Sequence, residues 1–505
     1  MSATLGELAQ GGLGVVRGDG KVVVRGVRHD SRAVEPGDLF VALSGAQFDG
    51  TKFVSGAIDR GASAIAAETT LDVPIPQLTV VSARRSLGAL AAVVYGDPTA
   101  CLAVVGITGT NGKTTTAWLL EAMLARAGCR PALMGTVAFR GPGLAAEATF
   151  TTPEGDDLAR FARQVVDHGG THLVMEVSSH ALAQYRADAV HFKVGAFSNL
   201  TQDHLDFHGT LDAYGKAKAR LFLDLSPSSA VINIDDSFGA DLAREIARSR
   251  PTVRLLRCSA RDQADAELRV LRSHGDRAGI TGQIATPDGL IDLRTPLVGQ
   301  HNLDNVLLAV GCGIALGLDA EAMRLALAEC RGAPGRLERV DDPRQVAVLV
   351  DYAHTPDALE RAIGALRPIT PGRLFVVFGC GGDRDRDKRP KMGTAAASAD
   401  LCVVTSDNPR TEDPDAIVAQ IEPGLLGHKP RLASSDLARA TSGYTIIVDR
   451  REAIGAALAA AGTGDTVLIA GKGHEAVQIV GTERRPFDDR QEARSAIASL
   501  ARGNG

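Results

Sequence analysis

From end to end the sequence alternates between short, uninterrupted apolar runs and longer Ala/Leu-rich amphipathic ones. DLFVAL, ASAIAAE and QLTVV lie in the first hundred residues, and CLAVVGITG, THLVMEVSS, VGAFSNL and SSAVINIDD in the middle. VAVLVDYAH, GRLFVVFGCGG, ADLCVVTSDNP, TIIVD and DTVLIAGKG follow in the last third. A strand that is apolar at every position needs cover on both faces, and helices between successive strands supply it. The pattern therefore predicts an α/β protein built on mostly parallel sheets. At 505 residues the chain is too long for one core, and a domain of about 150 residues suggests about three of them. Asp-Pro in YGDPTA breaks a helix near residue 98, and the Gly/Pro-rich CRGAPGRLERV marks a second seam near 334. The expected division is 1–98, 99–334 and 335–505, three α/β domains. No internal repeat and no low-complexity tract interrupts this order.

Composition removes several classes of function. A net charge of −5 gives no reason to expect nucleic acid or an anionic membrane as a partner. Seven cysteines without a C-x-x-C pair suggest reduced thiols in a cytosol. MSATLGELAQGGLG lacks the basic start and apolar run of a signal peptide, and no apolar stretch reaches the length of a membrane span. A soluble cytoplasmic protein is expected.

VVGITGTNGKTTTAWLLEAML, residues 104–124, reads as a strand, a glycine loop and a helix. In a phosphate loop, successive backbone N–H groups and the helix N-terminus face the anion, and a lysine neutralises it. Gly109, Thr110, Asn111, Gly112, Lys113, Thr114 and Thr115 occupy those places, with the Thr114 hydroxyl in reach of Mg²⁺. The usual pattern wants a further glycine five positions before the Gly-Lys pair, where this chain has Ile107. A kinase or motor ATPase would use the same loop, so the loop by itself says nucleotide and little more.

Other residues carry weaker signals. Glu176, at the end of a buried strand in MEVSSHALAQYR, is placed either to ligate a metal or merely to charge a helix start. In FSNLTQDHLDFHG, His204 and His208 have a spacing that would suit zinc, but no H-E-x-x-H or cysteine accompanies them. One histidine on Mg²⁺ is the better reading. Lys216 and Lys218 in YGKAKARLF pass for solvated helix charges, and Asp30-Ser31-Arg32 for a surface turn. GGDRD, DNPR and GKGHE each fall at the C-terminal end of an expected strand, where open α/β sheets bind ligands.

Together GITGTNGKTTT, MEVSSHALAQYR, NLTQDHLDFHG, YGKAKARLF, GQHNLDNVLLA, APGRLE, VDYAHTPDAL, GCGGDRDRDKRP, DNPR and GKGHE stand in the order found in the Mur ligase family. The chain resembles that family over nearly its whole length, and the family's own loop reads G-T-N-G-K-T, so Ile107 marks no defect.

The resemblance implies an ATP-dependent acid–amino-acid ligase of peptidoglycan precursor synthesis. It also implies a smaller N-terminal α/β UDP-binding domain, a central P-loop ATPase-type domain on a mostly parallel sheet and a C-terminal Rossmann-like domain that binds the amino acid and closes over ATP. ATP phosphorylates a substrate carboxylate and an amine attacks the acyl phosphate. The implied partners are UDP-MurNAc-L-Ala-D-Glu, meso-diaminopimelate and ATP, with Mg²⁺ as cofactor (two ions) and a monomer as the working form. Lys113, Glu176, His204 and Lys218 would be catalytic. Thr114, Glu176, His204 and Lys218 would hold metal, the last as a carbamate (N6-carboxylysine). Asn302 would face adenine, and Arg336 and Asp351 would contact ribose or phosphate. The N-terminal domain would bind UDP through Ser31, with His29, Ala46, Gln47 and Phe48 lining the site. Thr151, Thr152, Ser178, Gln184 and Arg186 would continue the contacts to the sugar-peptide. Diaminopimelate would meet Arg384, Asp407, Asn408, Pro409, Arg410, Gly471 and Glu475. A folylpolyglutamate synthetase or another Mur ligase would share the ATP site but lack DNPR together with HDSR…GDLF, and a P-loop kinase or a regulatory nucleotide-binding module would turn over or bind ATP without any amino acid.

Overall fold

The computed structural model describes residues 1–44, 49–146 and 150–503. They form two compact units. One comprises Met1–Leu271, Ile284–Ile291 and Asp304–Leu327, and the other Arg272–Gln283, Asp292–Leu303 and Ala328–Gly505.

The first unit opens with a five-stranded sheet. Gly26–Arg28, Asp38–Val41, Ala64–Ala67 and Gln77–Thr79 run parallel, and Val15–Arg17 pairs antiparallel at the edge. Side chains alternate across the strands as period two requires. Leu39, Val41, Ala64, Ala66 and Leu78 pack with Leu87, Leu90, Ala91 and Val94 of the helix Ala83–Val94. Phe40 and Ile65 turn to the opposite face, against Val54 and Ala57 of the helix Val54–Asp59.

The larger sheet of this unit places the phosphate loop. Ala103–Thr108 lies between His172–Glu176 and Phe192–Phe197, parallel to both. Its neighbours continue outward to Pro131–Met134 on one side and to Ser229–Asn233 and Arg254–Ser259 on the other. Three parallel strands therefore end side by side, at Thr108, Glu176 and Phe197. Beyond Pro131–Met134 the sheet finishes in an antiparallel hairpin, Phe139–Gly141 with Leu144–Ala146. Pairing is thus parallel from Pro131–Met134 across to Arg254–Ser259 and turns antiparallel at this hairpin edge.

In the second unit the sheet order is Glu338–Val340, Ala347–Asp351, Thr466–Ala470, Leu374–Phe378, Leu401–Val404, Gly443–Ile446. All pairs are parallel except the first. Leu349, Val376, Cys402 and Leu468 pack with Leu359, Ile363, Met392 and Ile417 on one face. Val348, Val377, Val403 and Ile469 pack with Ile454, Leu458, Ala493 and Ile497 on the other. The strands that read as apolar throughout are covered twice, as their composition demands. No helix among the described residues is long and apolar enough to cross a membrane.

Candidate functional site

Ile107, which stands where the usual phosphate loop has glycine, is a fully buried strand residue that pairs with Glu176 on one side and Ala196 on the other. The turn begins only at Gly109, so no glycine is needed earlier. Gly109 and Gly112 take φ of 145° and 89°, a region open to glycine. A Cβ at Gly109 would strike the Ser198 hydroxyl, and one at Gly112 the Asn305 amide. The helix Lys113–Arg126 starts at Gly112 with no side-chain cap, so its first N–H groups face the loop.

The neighbouring strand end braces this loop. Asn111 N–H donates to Asn199 Oδ1 at 3.0 Å, and the Ser198 hydroxyl donates to Asn111 O at 2.6 Å. Thr110 Oγ1 reaches Thr201 O at 3.2 Å. Lys113 Nζ folds back onto the carbonyls of Gly109 and Thr110, each at 2.9 Å. Thr115, on the helix's first turn, is buried.

Glu176 leaves its strand among hydroxyl and amide donors. Thr114 Oγ1 lies 3.0 Å from Glu176 Oε2, Thr136 N–H donates to Oε1 at 2.9 Å, and Thr136 Oγ1 stands 3.2 Å from Oε2. The hydroxyl and carboxylate oxygens among these groups are hard donors, a chemistry that suits Mg²⁺. The two lysines of one helix part company. Lys216 is exposed and pairs with Asp212 at 2.7 Å, whereas Lys218 is only 1 % exposed. Lys218 Nζ donates to Gly109 O at 2.7 Å and lies 4.2 Å from the Tyr214 ring centroid. Burial first, and then the charge of Lys113, hold its pKa well below the ordinary value, against an opposing pull from Asp203. His204 is exposed, in a left-handed turn with φ 52°, its ring edge-on to His180 with centroids 4.7 Å apart.

His29 Nδ1 lies 2.9 Å from both carboxylate oxygens of the buried Asp156, and Asp156 Oδ2 also accepts the His29 backbone N–H at 3.0 Å. Ser31 opens a short 3-10 turn capped by Asp30. Ala46, Gln47 and Phe48 lie outside the described residues. Thr151 bonds Thr136 at 3.0 Å, and Thr152 Oγ1 donates to Glu176 O at 2.9 Å while accepting Ser178 N–H at 3.0 Å. Thr151 thus reaches the Glu176 carboxylate through Thr136, and Thr152 holds the Glu176 backbone carbonyl. Arg186 is already engaged: Nη1 donates to Thr152 O, Nη2 to Gln184 Oε1, and Nε faces Glu154 Oε1 at 3.1 Å. Arg84 holds the other oxygen of Glu154 at 2.6 Å.

In the second unit, Asp407–Arg410 follows the strand Leu401–Val404, Arg384 follows Leu374–Phe378, and Gly471 and Glu475 follow Thr466–Ala470. Asp407, Asn408, Pro409 and Gly471 are buried, and Arg384 is exposed. Gly471 has φ 119°, and a Cβ there would come 2.5 Å from Asp407 Oδ2. Arg410 is half-buried with φ 52°, its Nη1 donating to Gly382 O at 2.7 Å. Among the described residues it forms no ion pair; the Asp383 carboxylate, which feels its charge, is bonded to Thr411 N–H and Oγ1 instead. Asp351 spends both oxygens on backbone, accepting Leu337 N–H at 2.7 Å and Ala353 N–H at 2.8 Å. Burial raises its pKa against the pull of Arg336, whose guanidinium lies over the Tyr352 ring. Asn302 is buried, donating to Val298 O at 2.7 Å.

Several residues here were not singled out from sequence. Asn305, one turn beyond Asn302 in the same HNLDN run, is the asparagine that touches the loop at Gly112. Thr136, Glu154, Asp156, Ser198, Asn199 and Lys472 also act through tertiary contacts. Of these, only Asn305 carried a local signal, its i, i+3 spacing from Asn302.

Three regions match known families. Residues 23–95 match the Mur ligase family, catalytic domain, residues 107–313 the Mur ligase middle domain, and residues 335–473 the Mur ligase, glutamate ligase domain. Over 500 residues the chain is 45% identical to UDP-N-acetylmuramoyl-L-alanyl-D-glutamate–2,6-diaminopimelate ligase of Geobacter metallireducens, covering 95% of this chain and 96% of that protein. The protein of the same name from Trichormus variabilis is 46% identical over 484 residues, 94% of each chain. A solved structure of a ligase with that name superposes with a TM-score of 0.74 at 34% identity, covering 99% of this chain and 100% of the other. The chain belongs to the Mur ligase family.

Proposed function

We propose that this protein is the ATP-dependent ligase that adds meso-2,6-diaminopimelate to UDP-MurNAc-L-Ala-D-Glu in cytoplasmic peptidoglycan precursor synthesis. The observation that carries the choice of amino acid is Arg410, a half-buried guanidinium at a strand end with no carboxylate partner among the described residues. Diaminopimelate brings a carboxylate on its far end that can fill that place.

The reaction is largely a matter of positioning and charge neutralisation. Loop amides from Gly109 to Thr115 and the Lys113 ammonium hold the ATP phosphates, Lys113 leaving the loop carbonyls for them. Thr114, Glu176 and His204 would hold Mg²⁺, and the convergence of the Thr114 hydroxyl and the Glu176 carboxylate fits that ion. When bound, Mg²⁺ supplies charge neutralisation for the phosphates. Lys218, buried where a cation is disfavoured, would add CO₂ as its neutral amine and release a proton to solvent, and the anionic carbamate so formed would join the residues that hold Mg²⁺. His29 and Ser31 fix the UDP end of the substrate, and Thr152, Ser178, Gln184 and Arg186 hold the peptide so that its carboxylate reaches the γ-phosphate. The diaminopimelate amine then displaces phosphate from the acyl phosphate.

Phosphate release tests this reading. Release should require UDP-MurNAc-L-Ala-D-Glu and diaminopimelate together. Turnover of ATP that ignores both would instead mark a kinase or a nucleotide-binding module.

A further inference from the structure

Lys472 is a lysine with 0 % side-chain exposure, to which the reaction above assigns no task. It follows Gly471 at the end of the strand Thr466–Ala470. Its ammonium meets three acceptors: Asn408 Oδ1 at 3.2 Å, Glu475 Oε2 at 3.3 Å and the Val477 carbonyl at 2.5 Å. An ammonium has three N–H donors, and here each has a partner. Burying such a charge is costly, and packing alone would be served as well by an apolar side chain of similar volume.

The two side chains it touches are also joined to each other. Asn408 Nδ2 donates to Glu475 Oε2 at 2.9 Å, and Asn408 Oδ1 accepts a second bond from Ile479 N–H at 3.0 Å. This pattern permits only one orientation of the Asn408 amide: its oxygen serves Lys472 and Ile479, and its nitrogen serves Glu475. Glu475 Oε2 is taken by two donors, whereas Oε1 has no hydrogen-bond partner among the described residues. The Glu475 side chain is one-third exposed, so this second oxygen belongs to the open side of the cluster.

We propose that Lys472 is a positioning residue for the amino-acid site, locking Asn408 and Glu475 into one unit that presents Glu475 Oε1 to the ammonium of the incoming ligand. The proposal rests on the reading that Asn408 and Glu475 receive diaminopimelate. A carboxylate fixed before binding loses less freedom when the ligand arrives.

Lys472→Met keeps an unbranched side chain and removes all three donors. With ATP and UDP-MurNAc-L-Ala-D-Glu saturating, the KM for diaminopimelate should rise about tenfold or more. The KM values for ATP and for the UDP-sugar peptide should stay at wild-type values, and kcat should change little. Glu475→Gln should raise the diaminopimelate KM less in the Lys472→Met background than in the wild type, because the carboxylate there is no longer fixed. A wild type that ignores diaminopimelate would overturn the reading of the site itself. A wild type that uses it, with a Lys472→Met variant that keeps its diaminopimelate KM or raises all three KM values together, would overturn only the positioning role. If Lys472→Met does not fold, Lys472→Gln, which retains a donor for Asn408, is read by the same KM comparison. Failure of both to fold would make the lysine purely structural, and the proposal falls.

Discussion

His29 and Asp156 meet with the imidazole Nδ1 2.9 Å from both carboxylate oxygens, one of which also holds the His29 backbone N–H. His29 follows the strand Gly26–Arg28 of the smaller sheet, and Asp156 sits on the helix Gly155–Asp167 beside the larger one. The pair thus ties the proposed UDP end of the substrate path to its peptide end.

A pH dependence follows from this contact. Burial would push the imidazole pKa down, but the hydrogen bond with Asp156 and the charges of Asp156, Asp157 and Glu154 outweigh it, so the folded value lies above the ordinary 6.5. A raised folded pKa means that the stabilisation is fully present below 6.5 and is lost as pH rises through the folded value. The Tm difference between wild type and His29→Gln should therefore be largest near pH about 6 and shrink toward pH about 9. A difference that is flat, or that grows with pH, contradicts the charged pair.

Lys218 and Lys216 offer a comparison within one helix. Lys218→Ala should be nearly inactive and partly rescued by short carboxylic acids, whose oxygens can stand in for a carbamate. Lys216→Ala should remain active, since that ammonium lies outside the site on Asp212. Ligation rates measured with and without added acetate or formate decide it, and equal losses in the two variants would remove Lys218 from the mechanism.

Lys113→Ala should lose ligation by about 10²-fold or more, the usual scale for one electrostatic group at a reacting centre. Its fold should survive, because the loop is also braced by Ser198, Asn199 and Thr201. Ligation within about tenfold of wild type, with unchanged thermal unfolding, would remove Lys113 from that role.

How much of this was legible in the sequence depended on whether a residue's role is set locally. Ala103–Thr108 and Leu374–Phe378 announced themselves, since a strand apolar at every position has few alternatives to a doubly covered sheet. Pro131–Met134 is four residues long and gave no such signal. Edge strands such as Val15–Arg17 and Glu338–Val340 are antiparallel, and neither length nor composition separates them from loops. Asp156 looks like an ordinary acidic residue in a helix's first turn, and Lys472 like a solvated cation. Each becomes a buried hydrogen-bonding group only through a partner 127 or 64 positions away. Lys218 differed from Lys216 only by the resemblance, because nothing in GKAKA says which lysine turns inward.

In the proposed reading, the choice of amino acid turns on Arg410. meso-Diaminopimelate differs from L-lysine by one carboxylate at the far end of its side chain, so a site that discriminates needs a fixed cation there. Arg410 is held in a left-handed conformation after Pro409, with its N–H on Ile479 O at 3.0 Å and one guanidinium nitrogen on Gly382 O. Those bonds fix the side chain's direction without neutralising it. A planar guanidinium can take a carboxylate through two parallel hydrogen bonds, which an ammonium in its place cannot match. L-Lysine would desolvate the cation and leave it unpaired, and sites built for a polar group reject analogues that lack it by about 10⁴-fold. Arg410→Ala should raise the KM for diaminopimelate steeply, leave the KM values for ATP and UDP-MurNAc-L-Ala-D-Glu unchanged, and narrow the gap between the two amino acids. Arg410→Lys should recover only part of the loss, since charge returns without the paired geometry. Steady-state kinetics with both amino acids measures this directly: comparable kcat/KM for L-lysine and diaminopimelate in the wild type would overturn the assignment.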